Sequence, residues 1–196
     1  MPAPLPDLER VEVRSRGEWR AWLERHHDQA DSIWLVSWKK GRDGHVPYAE
    51  FRDEALCWGW VDSRPAKLDA DRSMLLMSPR RAGSGWSCVN KDRVAALEAA
   101  GLMAPPGRAK VEVAKADGSW TKLDAVETLE VPPDLRAALA AHPPAADEWA
   151  RFPPSVRRGI LERVASAKRP ETRAARVDET ARLAAQGRRA GFERKR

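Results

Sequence analysis

Cysteine is scarce in this chain: Cys57 and Cys88 are the only two in 196 residues. Two thiols so far apart make neither a disulfide framework nor a zinc-binding spacing, and both are expected free. Histidine is also sparse, at positions 26, 27, 45 and 142. None of the four stands in a recognisable Cys–His nucleophile context, although Cys88 falls in the first turn of a predicted helix, where a thiolate would be favoured. No stretch approaches the roughly 18 apolar residues of a membrane span. The start, MPAPLPDLERVEV, has no apolar run of the kind a signal peptide needs. The expectation is a reduced, cytoplasmic protein without a membrane span. The loops follow neither GxxxxGK[ST] nor GxGxxG, so a nucleotide loop is not supported. No cofactor and no metal are expected.

Aromatic content is lopsided, with one Tyr and three Phe against nine Trp. Trp brings a large apolar surface and an indole N–H that must be bonded, so many of the nine are expected at the rim of the core. Acidic residues run short only at the C-terminal end. From Lys168 to Arg196 there are ten Lys/Arg and four Asp/Glu, which accounts for the whole net charge of +6. The rest of the chain is neutral, so the basic balance belongs to the tail and not to a whole-surface footprint for nucleic acid.

Strand and helix signals separate along the chain. Ser15-Arg16-Gly17-Glu18 is a capping box, and Trp19, Trp22 and Leu23 then share one helical face. Ile33–Lys39 alternates Trp34, Val36 and Trp38 on one face with Ile33 and Leu35 on the other, the pattern of a central strand. A basic turn, 39–44, leads to a helix over 48–58, which Gly59 ends. Strands are predicted from Trp60 and over Ser73–Ser78, joined at Asp69-Ala70-Asp71. Ser87 then caps a helix running to Ala100. Pro105-Pro106-Gly107 reads as a break before a short helix ending at Ala116. Beyond about residue 125 strand signals vanish. Pro pairs precede predicted helices over 134–141, 145–151 and 155–166, and Pro170 precedes one over 171–186. The fold class is therefore α+β: residues 1–122 form a small, mostly antiparallel sheet with helices, 125–187 an all-helical subdomain, and 188–196 a disordered basic tail.

Several blocks resemble the YdeI/OmpD-associated, or bacteriocin-protection, family. They are ALCWGWVDS at 55–63, SPRRAGSGWSCVNKDRV at 78–94, AKADGSW at 114–120 and FPPSVRRGILERVASAKRPETRAARV at 152–177. The resemblance spans nearly the whole chain. It implies a link to envelope stress or to protection against antibacterial peptides. It names no reaction and brings no catalytic residues.

The stretch 56–90 holds three of the nine Trp, both Cys and most polar groups with an apparent purpose. Trp60, Asp62, Arg64 and Lys67 lie on or beside the first strand of a predicted hairpin. Arg80, Arg81, Trp86, Ser87 and Asn90 lie beyond the second. A hairpin brings both sets to one end of a sheet, where Arg forks, a Trp wall and a helix N-terminus would converge on an anion. The plainer alternative has Asp62 pairing with an Arg, Ser87 capping its helix and the Trp residues in the core. The resulting expectation is a non-catalytic ligand- or protein-binding module with a protection role, taking a small anion or peptide group, with a protein partner possible. Its rivals are a protein that touches nucleic acid weakly and non-specifically through the basic tail, and an enzyme of unknown chemistry in the same cleft.

Overall fold

A computed structural model describes residues 7–192. The chain folds as two compact units: one runs to Ser84 and resumes over Val89–Trp120, and the other comprises Gly85–Cys88 and the chain from Thr121. The fold is α+β. Among the described residues no helix is long and apolar enough to cross a membrane.

The first unit is built on a four-stranded sheet of β1 (Arg10–Glu12), β2 (Ile33–Trp38), β3 (Trp60–Lys67) and β4 (Arg72–Pro79), in the order β1-β2-β4-β3. β1 runs parallel to β2, and the other two pairings are antiparallel. β2 is central, as apolar residues on both its faces predict; Ile33, Trp34, Leu35 and Val36 are all buried. One face gathers Trp34, Val36 and Met74 with Leu8, Ala66, Leu68 and Leu76 around them. On the other face Ile33 pairs across to Met77, and Met77 to Asp62 on β3.

Helix α1 (Arg16–His26) opens on Ser15, whose Oγ accepts the Glu18 amide at 3.1 Å. The Glu18 carboxylate reaches back to the Arg14 amide at 2.8 Å, one residue further than the capping-box pattern predicts. Trp19 and Trp22 stack at 5.3 Å, and both meet Trp60 edge-on, at 6.5 and 5.5 Å. The expectation that Trp would favour the rim is corrected at four positions. Trp19, Trp34, Trp60 and Trp86 are fully buried. For two of them backbone carbonyls satisfy the indole: Trp19 donates to Phe51 and Trp60 to His27, each at 3.1 Å.

Helix α2 (Tyr48–Cys57) carries two adjacent buried carboxylates. Glu54 accepts from Arg16 Nε at 2.6 Å and Arg20 Nη1 at 3.0 Å, which ties α2 to α1. Asp53 accepts a bidentate fork from Arg93 at 3.1 and 2.6 Å, which ties α2 to α3 (Cys88–Ala99). Gly59 ends the helix turn with φ +77°, as expected. Pro105-Pro106-Gly107 is not a break: it forms the first turn of α4 (Pro105–Ala116), with Pro at the positions that need no amide donor. Gly107 is required there, because a Cβ would fall 2.1 Å from the Cys57 carbonyl oxygen. Neither Cys57 nor Cys88 is in a disulfide; burial pushes the Cys57 thiol up to about 11, while Cys88 is exposed.

The second unit holds α5 (Asp124–Glu127), α6 (Pro133–Ala141), α7 (Ala145–Arg151), α8 (Pro154–Ala165) and α9 (Pro170–Ala184). Sequence periodicity predicts the last four within a residue or two; α5 is too short to show a period. Leu135, Leu139, Trp149, Phe152, Ile160 and Val164 centre its core. α9 buries Val177, Thr180, Ala181 and Ala184, while Ala174 is exposed. Segment 85–88 groups here because Gly85 abuts Leu123, where a Cβ would lie 2.8 Å from Cγ. The disordered basic tail expected over 188–196 falls only partly within the described residues. Ala190 is buried, and the Phe192 ring lies where a Cβ on Gly159 would meet it at 2.7 Å. Residues 193–196 lie outside the described residues.

The clamp on Glu54 gives a direct test. Removing both cationic partners with Arg16→Ala plus Arg20→Ala strands a buried carboxylate, and chemical denaturation should show a loss of about 3 kcal/mol. Arg151→Ala, which breaks an exposed pair with Glu148, should cost no more than about 1 kcal/mol.

Candidate functional site

The residues singled out from the sequence fall on both units, Trp86 and Ser87 on the second and the others on the first. Trp60 is fully buried in the aromatic cluster. Arg80 is only 4% exposed; its amide bonds the Gly59 carbonyl at 2.9 Å. Burial pushes its guanidinium down to about 10, and the negative charge of Asp62 opposes that shift. Asp62 accepts a hydrogen bond from the Tyr48 hydroxyl, at 2.8 Å, where the sequence suggested an Arg partner. Arg64 lies over the Trp34 ring at 5.7 Å. Lys67 is exposed at the far end of β3, opposite Ser73. Trp86 and Ser87 belong to the segment that groups with the second unit, whereas Asn90 is half-buried in the first turn of α3.

Arg81 is exposed, and its carbonyl closes the 80–85 loop by accepting from the amide and hydroxyl of Ser84 at 3.3 and 2.7 Å. The Gly83 amide donates to Asp117 at 2.9 Å, and Asp117 also accepts the Ser119 amide at 2.9 Å. Two blocks far apart in sequence, 78–94 and 114–120, thus meet in one folded feature. Its loop geometry is held from within, by a carboxylate bonded to backbone amides.

An open cleft lies elsewhere in the first unit, at the end of β2 and β4 away from Arg80. It has a volume of about 330 Å³. Phe51, Leu75, Met74 and Pro65 give it apolar walls. Its polar side comes from the basic turn and the start of α2: Lys39, Lys40, His45 and Tyr48. Lys39 is fixed in place, with Nζ donating to the carbonyls of Asp69 and Ala70 at 2.8 and 2.7 Å. His45 Nδ1 donates to the Trp38 carbonyl at 2.8 Å, which leaves Nε2 for another partner. Lys40 is exposed and makes no hydrogen bond or ion pair among the described residues. No Asp or Glu lines the cleft. Tyr48 stands at its mouth and is half exposed.

The sequence carries only part of this signal. The basic turn and the β3–β4 hairpin are visible in it, but nothing in the spacing sets α2 against that hairpin. Among the described residues no group of three or more His, Cys, Asp or Glu is gathered.

Residues 11–110, just over half of the chain, match the family described as a domain of unknown function (DUF8412). The chain belongs to that family. Residues 128–187 match a second family, described as bacteriocin-protection, YdeI or OmpD-associated, and this covers α6 to α9. The family resemblance read from the sequence is thus shown on the helical unit, over part of the chain. No curated protein and no solved structure matches the chain.

Tyr48 is the only tyrosine, so its titration can be followed without interference. Partial desolvation, then the hydrogen bond to Asp62, raises its phenol to about 12. The neutral phenol is favoured in the folded state, so this contribution to stability is complete below the ordinary tyrosine value and is lost as pH rises through about 12. Tyrosinate absorbance should therefore appear late in an alkaline titration, and Asp62→Ala should move the midpoint down toward the ordinary value. Arg80→Ala checks the other end of the sheet. A buried Arg of this kind should cost about 2 kcal/mol on denaturation, whereas a freely exposed one would cost almost nothing.

Proposed function

We propose that this protein is a non-catalytic binding module that takes a small organic anion, such as the carboxylate end of a peptide, and that its physiological role is protective. The observation that carries the binding half is the cleft beside β2 and β4. It has apolar walls, three potentially cationic side chains and no carboxylate in its lining. Such a lining favours an apolar body that carries negative charge, because any ligand acid meets Lys40 and His45 with no competing acid of the protein's own. Lys39 adds a cation that is already held in position, so little ordering entropy is lost when a ligand binds it. The protective half rests on the bacteriocin-protection match over 128–187.

This reading keeps the anion or peptide group expected from the sequence and moves its site. Trp60, Arg80 and Trp86 are buried, whereas the cleft at Lys40 is open. Nucleic-acid binding through the C-terminal region is less well supported. Arg173 and Arg182 of α9 are engaged with Asp134 and Asp178, and Arg176 with the Arg163 carbonyl and Ser166. Guanidinium groups held in this way contribute less to phosphate contact than free ones do.

N-acetyl-leucine and its neutral amide make a matched pair of probes. The acid should bind more tightly than the amide by isothermal titration calorimetry. Lys40→Glu should weaken the acid roughly tenfold and leave the thermal midpoint in place, because Lys40 is exposed and has no partner among the described residues. Equal affinity for acid and amide, or an unchanged affinity in Lys40→Glu, would remove the cleft as an anion site.

A further inference from the structure

A second cavity lies within the helical unit, with charged side chains of both signs at its rim. It has a volume of about 230 Å³, walled by Val126, Pro132, Leu161, Val164 and Ala165. At roughly the 30 Å³ that a water occupies in liquid, this is room for on the order of eight non-hydrogen atoms. One aliphatic chain of about six carbons fills such a space; a folded peptide does not enter it.

Three charged side chains line the rim: Lys122, Glu130 and Arg173. Two of them are already engaged. Arg173 gives Nε and Nη2 to Asp134 at 2.7 and 3.0 Å, and this pairing holds the Asp134 carboxyl below the usual carboxylate range. Lys122 also has an interaction partner. Glu130 makes no side-chain hydrogen bond or ion pair among the described residues, and it is exposed. It is the rim charge left for a ligand.

The backbone fixes where Glu130 stands. Leu129 follows α5 in the left-handed region, at φ 58°, and the Glu130 amide bonds the Ala125 carbonyl at 2.8 Å while the Leu129 amide bonds Val126 at 3.1 Å. These are the two closing bonds of a Schellman helix end, in which Gly is usual at the left-handed position. A Leu is kept there because its side chain packs against the core of the unit. The turn is therefore anchored by both backbone and side chain, and Glu130 leaves it beside the cavity mouth.

We propose that this cavity binds a small aliphatic amine, with the alkyl chain in the apolar pocket and the ammonium at the Glu130 carboxylate. The site is independent of the anion cleft in the first unit, so either can fail without the other.

The test uses the full chain with n-hexylamine and n-hexanol as probes of matched length, at a pH where the amine is charged. Ligand-detected NMR titration should show the ammonium binding about fivefold more tightly than the alcohol, which is what one partly exposed ion pair supplies. Glu130→Gln should erase that preference without lowering the thermal midpoint, because Glu130 is exposed. Both probes should shift the methyl resonances of Val126, Leu161 and Val164, and Lys40→Glu should leave amine binding unchanged. Equal binding of amine and alcohol, a preference that survives Glu130→Gln, or methyl shifts elsewhere in the chain would overturn the assignment.

Discussion

Two neighbouring carboxylates, Asp53 and Glu54, sit inside the first unit where water cannot solvate them. An ionised carboxylate removed from water without a partner costs several kcal/mol. The fold avoids that cost by drawing arginines from two other helices: Arg16 and Arg20 from α1 onto Glu54, and Arg93 from α3 onto Asp53. The direction of the constraint matters. The three arginines are each more than a third exposed and would be solvated wherever they stood. The carboxylates would not. The acids therefore dictate the arrangement, and α1 and α3 are held in fixed positions about α2.

The rest of the unit inherits that arrangement. α1, fixed to α2 through Glu54, lays Trp19 and Trp22 against Trp60 at the start of β3. At its other end α2 presents Phe51 inward and Tyr48 at the surface. These two residues supply one wall and the mouth of the open cleft. The cleft is thus set by the same helix whose burial the arginines make possible, and the Tyr48–Asp62 bond fixes that helix's first turn to β3.

Much of the fold can be read in the residues because period and punctuation agree. β2 shows its central place through apolar residues on both faces, α1 through its Ser15 cap, and the later helices through the prolines that start them. The site is far less legible. Arg80 looks like a surface cation in a basic loop. It is buried because its amide closes on the Gly59 carbonyl and β3 pairs with β4 up to that point. No local pattern reports that closure. The cleft escapes for a related reason: Lys40, Phe51, Pro65 and Leu75 come from four separate segments, and only the strand register makes them neighbours. Pro105-Pro106-Gly107 reads as a break because proline both ends and begins helices. What decides between the two is Gly107, which lets α4 close against the Cys57 carbonyl, a contact 50 residues away in the chain.

Composition also misstates the charge that a partner would meet. The whole excess of +6 falls in the last 29 residues, which invites a reading of a basic arm. Within α9, however, Arg173 and Arg182 lie on carboxylates, and Arg176 caps the carbonyl at Arg163 near the end of α8. These arginines are structural in the sense that each closes a contact of the helical unit, and a charge neutralised at contact distance projects little field beyond the Debye length. At the two cavities, by contrast, a lysine at the cleft beside β2 and a glutamate at the pocket beside α5 make no ion pair among the described residues. An unpaired charge beside uncovered apolar surface is the arrangement on which both proposed sites rest.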